Sequence, residues 1–119
     1  THDRILGFTS HMPHVIAFAA MLESHKMSEE MGLDISIFNG GSYEDMTRVS
    51  TADLAMWRDI FLTNSDNIHF VLKNLVDQVD KFLGFMEDRN IEDLSELIDR
   101  ARHHKLEQLS SKNKRHKTQ

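Results

Sequence analysis

Eight consecutive apolar residues, Val15–Leu22, constrain this chain more than anything else in it. Large Val, Ile, Phe, Met and Leu side chains are mixed there with Ala17, Ala19 and Ala20. A surface helix keeps a polar stripe, so a helix apolar all round is expected to be buried on all sides. The alanines would let a neighbouring helix come close. Upstream, Ile5, Phe8, Met12, Val15 or Ile16, Ala19 and Leu22 recur at spacings of three and four, so one helix should run from the first residues to about Lys26. Pro13 interrupts it. A proline inside a helix lacks the N–H and crowds the carbonyl four residues back, here that of Thr9, so a bend is expected near Pro13. Ser10, His11 and His14 flank the proline, which sets polar side chains and loosened backbone beside a buried core and suggests a site. A helical pattern that begins so close to the first residue reads as a piece of something larger.

After Gly32, a helix terminator, the segment Asp34–Phe38 reads as irregular or a short turn. Asn39-Gly40-Gly41-Ser42 is the strongest loop signal, since paired glycines allow positive φ and close backbone approach. Ser42-Tyr43-Glu44-Asp45 resembles a capping box and should start a short helix carrying Asp45, Met46, Arg48 and Val49. Ser50–Asp53 and Thr63–Asp66 look like two further helix starts. Ile68, Val71, Leu72, Leu75, Val76, Val79, Phe82, Leu83 and Met86 then form one apolar stripe, weakened at Gly84 by roughly 1 kcal/mol relative to alanine. Asp88-Arg89-Asn90 breaks that helix, and Asn90 caps a last one with Leu94, Leu97, Ile98 and Ala101 inward. No strand alternation and no internal repeat is present. The fold expected is all-α, five to six helices built around a long buried N-terminal helix, in one domain over residues 1–111.

The 119 residues suffice for one core, and 28% charged residues is ordinary for a globular chain. Cysteine is absent, which removes disulfides and thiol chemistry and agrees with a cytoplasmic setting. The uninterrupted apolar run is far shorter than the roughly 20 residues of a membrane span, so no membrane partner is expected. Residues 112–119 carry Lys112, Lys114, Arg115 and Lys117, leaving 10 basic against 19 acidic residues elsewhere. Such a tail reads as a solvated, disordered end rather than a nucleic-acid contact.

His11 and His14 lie about 60° apart on a helix and can face one cavity. Pro13 between them and the lack of a third ligand at any recognised spacing argue against zinc, although His69 or His103-His104 could add one. No metal is therefore expected. Arg48, three residues after Asp45, is on spacing alone a surface ion-pair partner; its planar fork equally suits a carboxylate ligand. Trp57, the only tryptophan, reads as packing against Ile60 and Phe61. Nothing supports a self-contained hydrolase or kinase.

Three ordered segments, HDRILGFTSHMPHVIAFA, GGSYEDMTRVS and ADLAMWRDIFLTN, closely resemble the C-terminal helical domain of the prephenate dehydrogenases, a family that includes arogenate and cyclohexadienyl dehydrogenases of tyrosine biosynthesis. The resemblance covers about residues 1–64. The family's SHLPH signature appears as Ser10-His11-Met12-Pro13-His14, and its FRDxTRIA segment as residues 42–50. It implies NAD(P)-dependent oxidation of prephenate or arogenate, with hydride leaving the ring carbon that bears the hydroxyl and loss of carbon dioxide aromatising the ring. The catalytic histidine of the family belongs to an N-terminal nucleotide-binding domain. No strand–GxGxxG–helix unit occurs here, so no catalytic residue is assigned to this chain and NAD or NADP would be bound mainly by that other domain.

By the same resemblance, His14 and Arg48 contact substrate carboxylates, with Ser10 and His11 beside them. Asp45 and Trp57 lie near the site mouth or the partner subunit, the Gly40-Gly41 loop approaches the substrate, and the domain forms a homodimer. Tyr43-Glu44 departs from the usual family pair, and Phe18 and Met21 replace residues that are often small. The competing reading is a stand-alone helical dimerisation module without catalytic activity.

Overall fold

Pro13 decides how the first element is built. In the computed structural model, which describes residues 1–38 and 40–118 with the side chains of residues 116–118 excepted, the chain opens with helix α1 (His2–Leu6). A π-helical turn, Gly7–His11, follows and leads directly into α2 (Met12–Met31). Without its N–H, Pro13 cannot close the usual bond to the Thr9 carbonyl; the widened turn just before it absorbs the mismatch, and Pro13 falls in the first turn of α2, where no bond is required of it. The expected disturbance is therefore a π turn. The helix also outlasts the expected Lys26 by a full turn, since nothing before Gly32 can stop it.

Gly32 stops it by a left-handed closure at φ 68° and ψ 25°. Its N–H bonds the Glu29 carbonyl at 3.3 Å and the Leu33 N–H bonds that of Ser28 at 3.2 Å, the paired bonds of a Schellman motif. A 3₁₀ turn, Ile35–Phe38, follows. Asp34 holds its entry, accepting from Ser36 Oγ at 2.7 Å and Ser36 N at 2.9 Å. These bonds, the hydroxyl's first, keep the Asp34 carboxyl below its ordinary range.

Helix α3 (Gly41–Thr47) begins two residues earlier than a capping box would have it. Gly40 is its N-cap, in extended backbone with no side-chain bond, so Ser42 lies inside the helix and the expected box does not form. Neither Gly40 nor Gly41 takes positive φ, and a Cβ on either would meet nothing within 4 Å. The close approach expected of them is not made within this chain; Asn39 of that loop lies outside the described residues. A 3₁₀ turn, Arg48–Thr51, carries Arg48 and Val49 in place of the continued helix.

The remaining helix starts agree with the sequence. Asp53 caps α4 (Leu54–Thr63) by accepting from Met56 N at 2.9 Å. The Asn64 carbonyl takes the Ile68 N–H at 3.0 Å as α5 (Ser65–Glu87) begins. α5 ends at Arg89, which takes φ 52° and closes a second Schellman pair through Arg89 N to the Met86 carbonyl and Asn90 N to the Phe85 carbonyl. Asn90 Oδ1 then receives Asp93 N at 3.1 Å and starts α6 (Ile91–Thr118). The basic tail expected to be disordered continues this helix, because nothing after Asn90 breaks it; its side chains are exposed as far as Arg115, and residues 116–119 lie outside the described side chains.

Contacts divide the chain into two units, Thr1–Asn74 and Leu75–Gln119, where the sequence suggested one domain over 1–111. In the first, α2 packs on α3 and on both 3₁₀ turns, and the apolar side chains buried are Ala17, Trp57, Ile68 and Val71. In the second, Leu97 of α6 is buried and shares a small open cavity with Lys81 and Phe85 of α5.

The burial expected for Val15–Leu22 is a correction at the level of one chain. Ala17 is fully buried, but Ala19 is exposed and Leu22 is 73% exposed. The helical run His2–Met31 is, by length and composition alone, long and apolar enough to cross a membrane. Its most apolar window has mean hydropathy 1.4 with 11% of it buried inside the chain. Counting only uninterrupted apolar residues missed this, because averaging tolerates the isolated Ser10, His11 and His14.

Candidate functional site

Trp57 is the centre around which the first unit's polar residues gather. It faces inward from α4 and is 8% exposed. The His14 ring stacks on the indole with centroids 3.5 Å apart and planes 14° from parallel. His11 meets the same indole edge-on, at 6.0 Å and 81°. Phe61, one turn further along α4, lies 5.8 Å from Trp57 and receives Phe18 of α2 edge-on at 6.1 Å. The i, i+3 spacing of the histidines, with His11 closing the π turn and His14 in the first turn of α2, brings both onto one aromatic platform.

His14 Nδ1 lies 2.8 Å from the Ser10 carbonyl. A carbonyl only accepts, so Nδ1 carries the proton. Neutral His14 then has a bare Nε2 that can accept; it donates from Nε2 only as the imidazolium. Ser10 thus contributes its backbone rather than its hydroxyl.

His11 Nδ1 lies 3.1 Å from Asn64 Nδ2, which also donates to the Asp3 carbonyl at 2.8 Å. Asn64 Oδ1 accepts from Asn67 Nδ2 at 2.8 Å, and Asn67 Oδ1 accepts from Arg4 Nε at 3.2 Å. The Arg4 guanidinium sits 4.0 Å over the Phe70 ring. Sequence reasoning took Asn64 as a helix start only and missed Asn67 and Arg4; two asparagines three apart at a helix start, opposite a histidine helix, were the available signal.

A cavity of about 400 Å³ opens beside His11, lined by Asp3, Met56, Asp59, Ile60, Thr63 and Asn64. Its two carboxylates make it a poor seat for a dianion, and neither His14 nor Arg48 lines it. A more apolar groove of about 580 Å³ runs past Trp57 between Phe18, Leu54, Phe61 and Leu62, with Arg58 at its side.

The other expected site residues are not gathered there. Arg48 is exposed on its 3₁₀ turn, which packs on α2, and among the described residues no ion pair joins it to Asp45. Asp45, Gly40 and Gly41 are exposed on α3 and its cap. Tyr43 and Met21, two of the departures from the family pattern, touch each other: the Tyr43 hydroxyl lies 2.9 Å from Ser24 Oγ and 3.5 Å from the Met21 sulfur. Among the described residues, no three His, Asp or Glu side chains converge as a metal would require.

Residues 1–100 match the family described as "Prephenate dehydrogenase, dimerization domain". The prephenate dehydrogenase of Bacillus subtilis is 32% identical over 93 residues, 78% of this chain and 25% of that protein. The cyclohexadienyl dehydrogenase of Zymomonas mobilis is 32% identical over 80 residues, 67% of this chain and 27% of that protein. The chain thus spans about a quarter of the length of these relatives. Among solved structures, prephenate dehydrogenase from Aquifex aeolicus in complex with hydroxyphenyl propionate and NAD+ superimposes with a TM-score of 0.82 at 30% identity, over 89% of this chain and 37% of that one. With residues 1–100 of its 119 matched by the family and a helical fold shared, this chain belongs to the prephenate dehydrogenase dimerization-domain family.

Proposed function

We propose that this chain is the helical half of a prephenate or arogenate dehydrogenase, supplying substrate-carboxylate contacts and the dimer interface for oxidative decarboxylation in tyrosine biosynthesis. The observation that carries the reading is the assembly of His11, His14 and Trp57 within a segment that matches the family across residues 1–100. A dianionic substrate needs a permanent cation and an oriented donor. Arg48, exposed on a turn packed against α2, offers the first. His14 offers the second, through Nε2, and only with a proton there. The lack of cysteine supports a cytoplasmic setting.

This chain's own residues do not fit a nicotinamide dinucleotide. Among those described, all elements are helices or turns, with no strand leading through a glycine loop into a helix N-terminus where a pyrophosphate would sit. The cofactor of the whole enzyme is held by other residues, and hydride transfer is not assigned here. Homodimer formation is supported by the apolar side chains left uncovered on α2 and by the family's own description.

In the full-length enzyme, Arg48→Ala should raise KM for prephenate by about one to two decades, as loss of a charge-assisted bond of about 1.5–3 kcal/mol implies, with little change in KM for the nicotinamide cofactor. His14→Ala should raise the same KM, by less than Arg48→Ala does. Steady-state kinetics decide the matter: an unchanged prephenate KM in folded Arg48→Ala protein overturns the assignment of that residue.

A further inference from the structure

Asn64 faces three partners, and only one orientation of its amide satisfies all three. The Asp3 carbonyl can only accept, so it requires the NH₂ of Asn64. The opposite end is set independently. Arg4 has no acceptor, so the oxygen of Asn67 must face it; the Asn67 NH₂ then faces Asn64, and the Asn64 oxygen must receive it. Arg4 is itself held by the Phe70 ring. A permanent cation thus fixes the direction of every bond in the series, and the second N–H of Asn64 is left to reach His11 Nδ1 at 3.1 Å.

We infer that Asn64 is a positioning residue that holds His11 as the neutral tautomer with its proton on Nε2. An imidazolium would carry hydrogen on Nδ1, and two donors would then face each other. His11 therefore presents a donor where His14, locked the opposite way by the Ser10 carbonyl, presents an acceptor until it is protonated. Two histidines on one indole are given opposite hydrogen-bonding characters at the same pH. The other ionisable groups near His11 are Asp3 and Asp59 across its cavity and His14 beyond the indole. Among the described residues neither carboxylate is hydrogen-bonded to the ring, and the Asn64 N–H is what meets Nδ1. That His11 turns its Nε2–H toward a substrate oxygen rests on the function proposed above; the tautomer does not.

Two-bond ¹H–¹⁵N correlation spectra of the ¹⁵N-histidine-labelled 119-residue chain read each ring nitrogen. His11 should show a bare Nδ1 and a protonated Nε2 near neutral pH, and His14 the reverse. Asn64→Asp, which can only accept, should move the His11 proton to Nδ1, while His14 is unchanged. A wild-type His11 protonated at Nδ1, or an Asn64→Asp chain whose His11 keeps its proton on Nε2, overturns the inference. If Asn64→Asp also disturbs His14, Asn64→Leu, similar in size and uncharged, serves instead: both His11 tautomers should appear, and retention of the pure Nε2–H form overturns the role of Asn64. None of these spectra needs substrate. Failure to bind prephenate would remove the functional reading and leave Asn64 where it stands.

Discussion

Glycine 7 shows how much one missing side chain can settle. It is buried, and a Cβ built on it would lie 3.5 Å from Asn64 Nδ2 and 3.6 Å from Asn67 Cβ. Those are ordinary contacts, so Gly7→Ala should fold normally and keep the tautomers of both histidines. Gly7→Leu has nowhere to put its branch except among the two asparagines. It should cost about 1–3 kcal/mol in denaturant unfolding and free His11 from Asn64; a leucine variant as stable as the parent would mean the close approach is not needed. The site's aromatic half was legible at this scale, since the i, i+3 histidines point one way on any helix. The asparagine half was not, because a hydrogen-bond series between residues some 60 apart leaves no local pattern. Arg48 is a candidate only by resemblance: its exposure on a 3₁₀ turn says nothing by itself.

The two Schellman closures make a natural experiment on helix ends. Both use the same pair of backbone bonds, yet one places glycine at the left-handed residue and the other places arginine there, at φ 52°. A side chain in that region costs roughly 1–2 kcal/mol, partly offset in a glycine variant by the greater freedom of the unfolded chain. Arg89→Gly should therefore stabilise by up to about 1 kcal/mol, and Gly32→Ala should destabilise by a similar amount. Thermal melts should move in opposite directions; movement in the same direction would break the comparison. Most elements were readable because their ends are chemical: Asp53, Asn64 and Asn90 cap where their side chains or carbonyls predict. The failures came where continuation was free. α2 ran on to Gly32 and α6 ran through the basic tail, since charge and polarity do not stop a helix as glycine and proline do. Asp34 adds a small acid sensitivity: its turn is fully supported above the ordinary carboxylate range and loses that support only as pH falls through its lowered value.

Across the whole molecule, the sequence and the structure disagree about burial, and the homodimer proposed above would reconcile them. Val15–Leu22 reads as interior, whereas Ala19 is exposed in the single chain. Ala19→Asp should then leave the chain's helicity intact but weaken dimerisation by a few kcal/mol, about two to three decades in Kd, because the charge is desolvated only at the interface. Sedimentation equilibrium alongside circular dichroism tests both halves of that statement, and a dimer of unchanged Kd would move the interface off α2. One further property belongs to the molecule as a whole. Trp57 is the chain's only tryptophan, so all of its indole emission comes from a ring lying face to face with His14. A protonated imidazole in that position drains the excited state, whereas a neutral or displaced one does not. The brightness of the protein in a cuvette is consequently an optical gauge of the two histidines that meet that ring, His14 face-on and His11 edge-on.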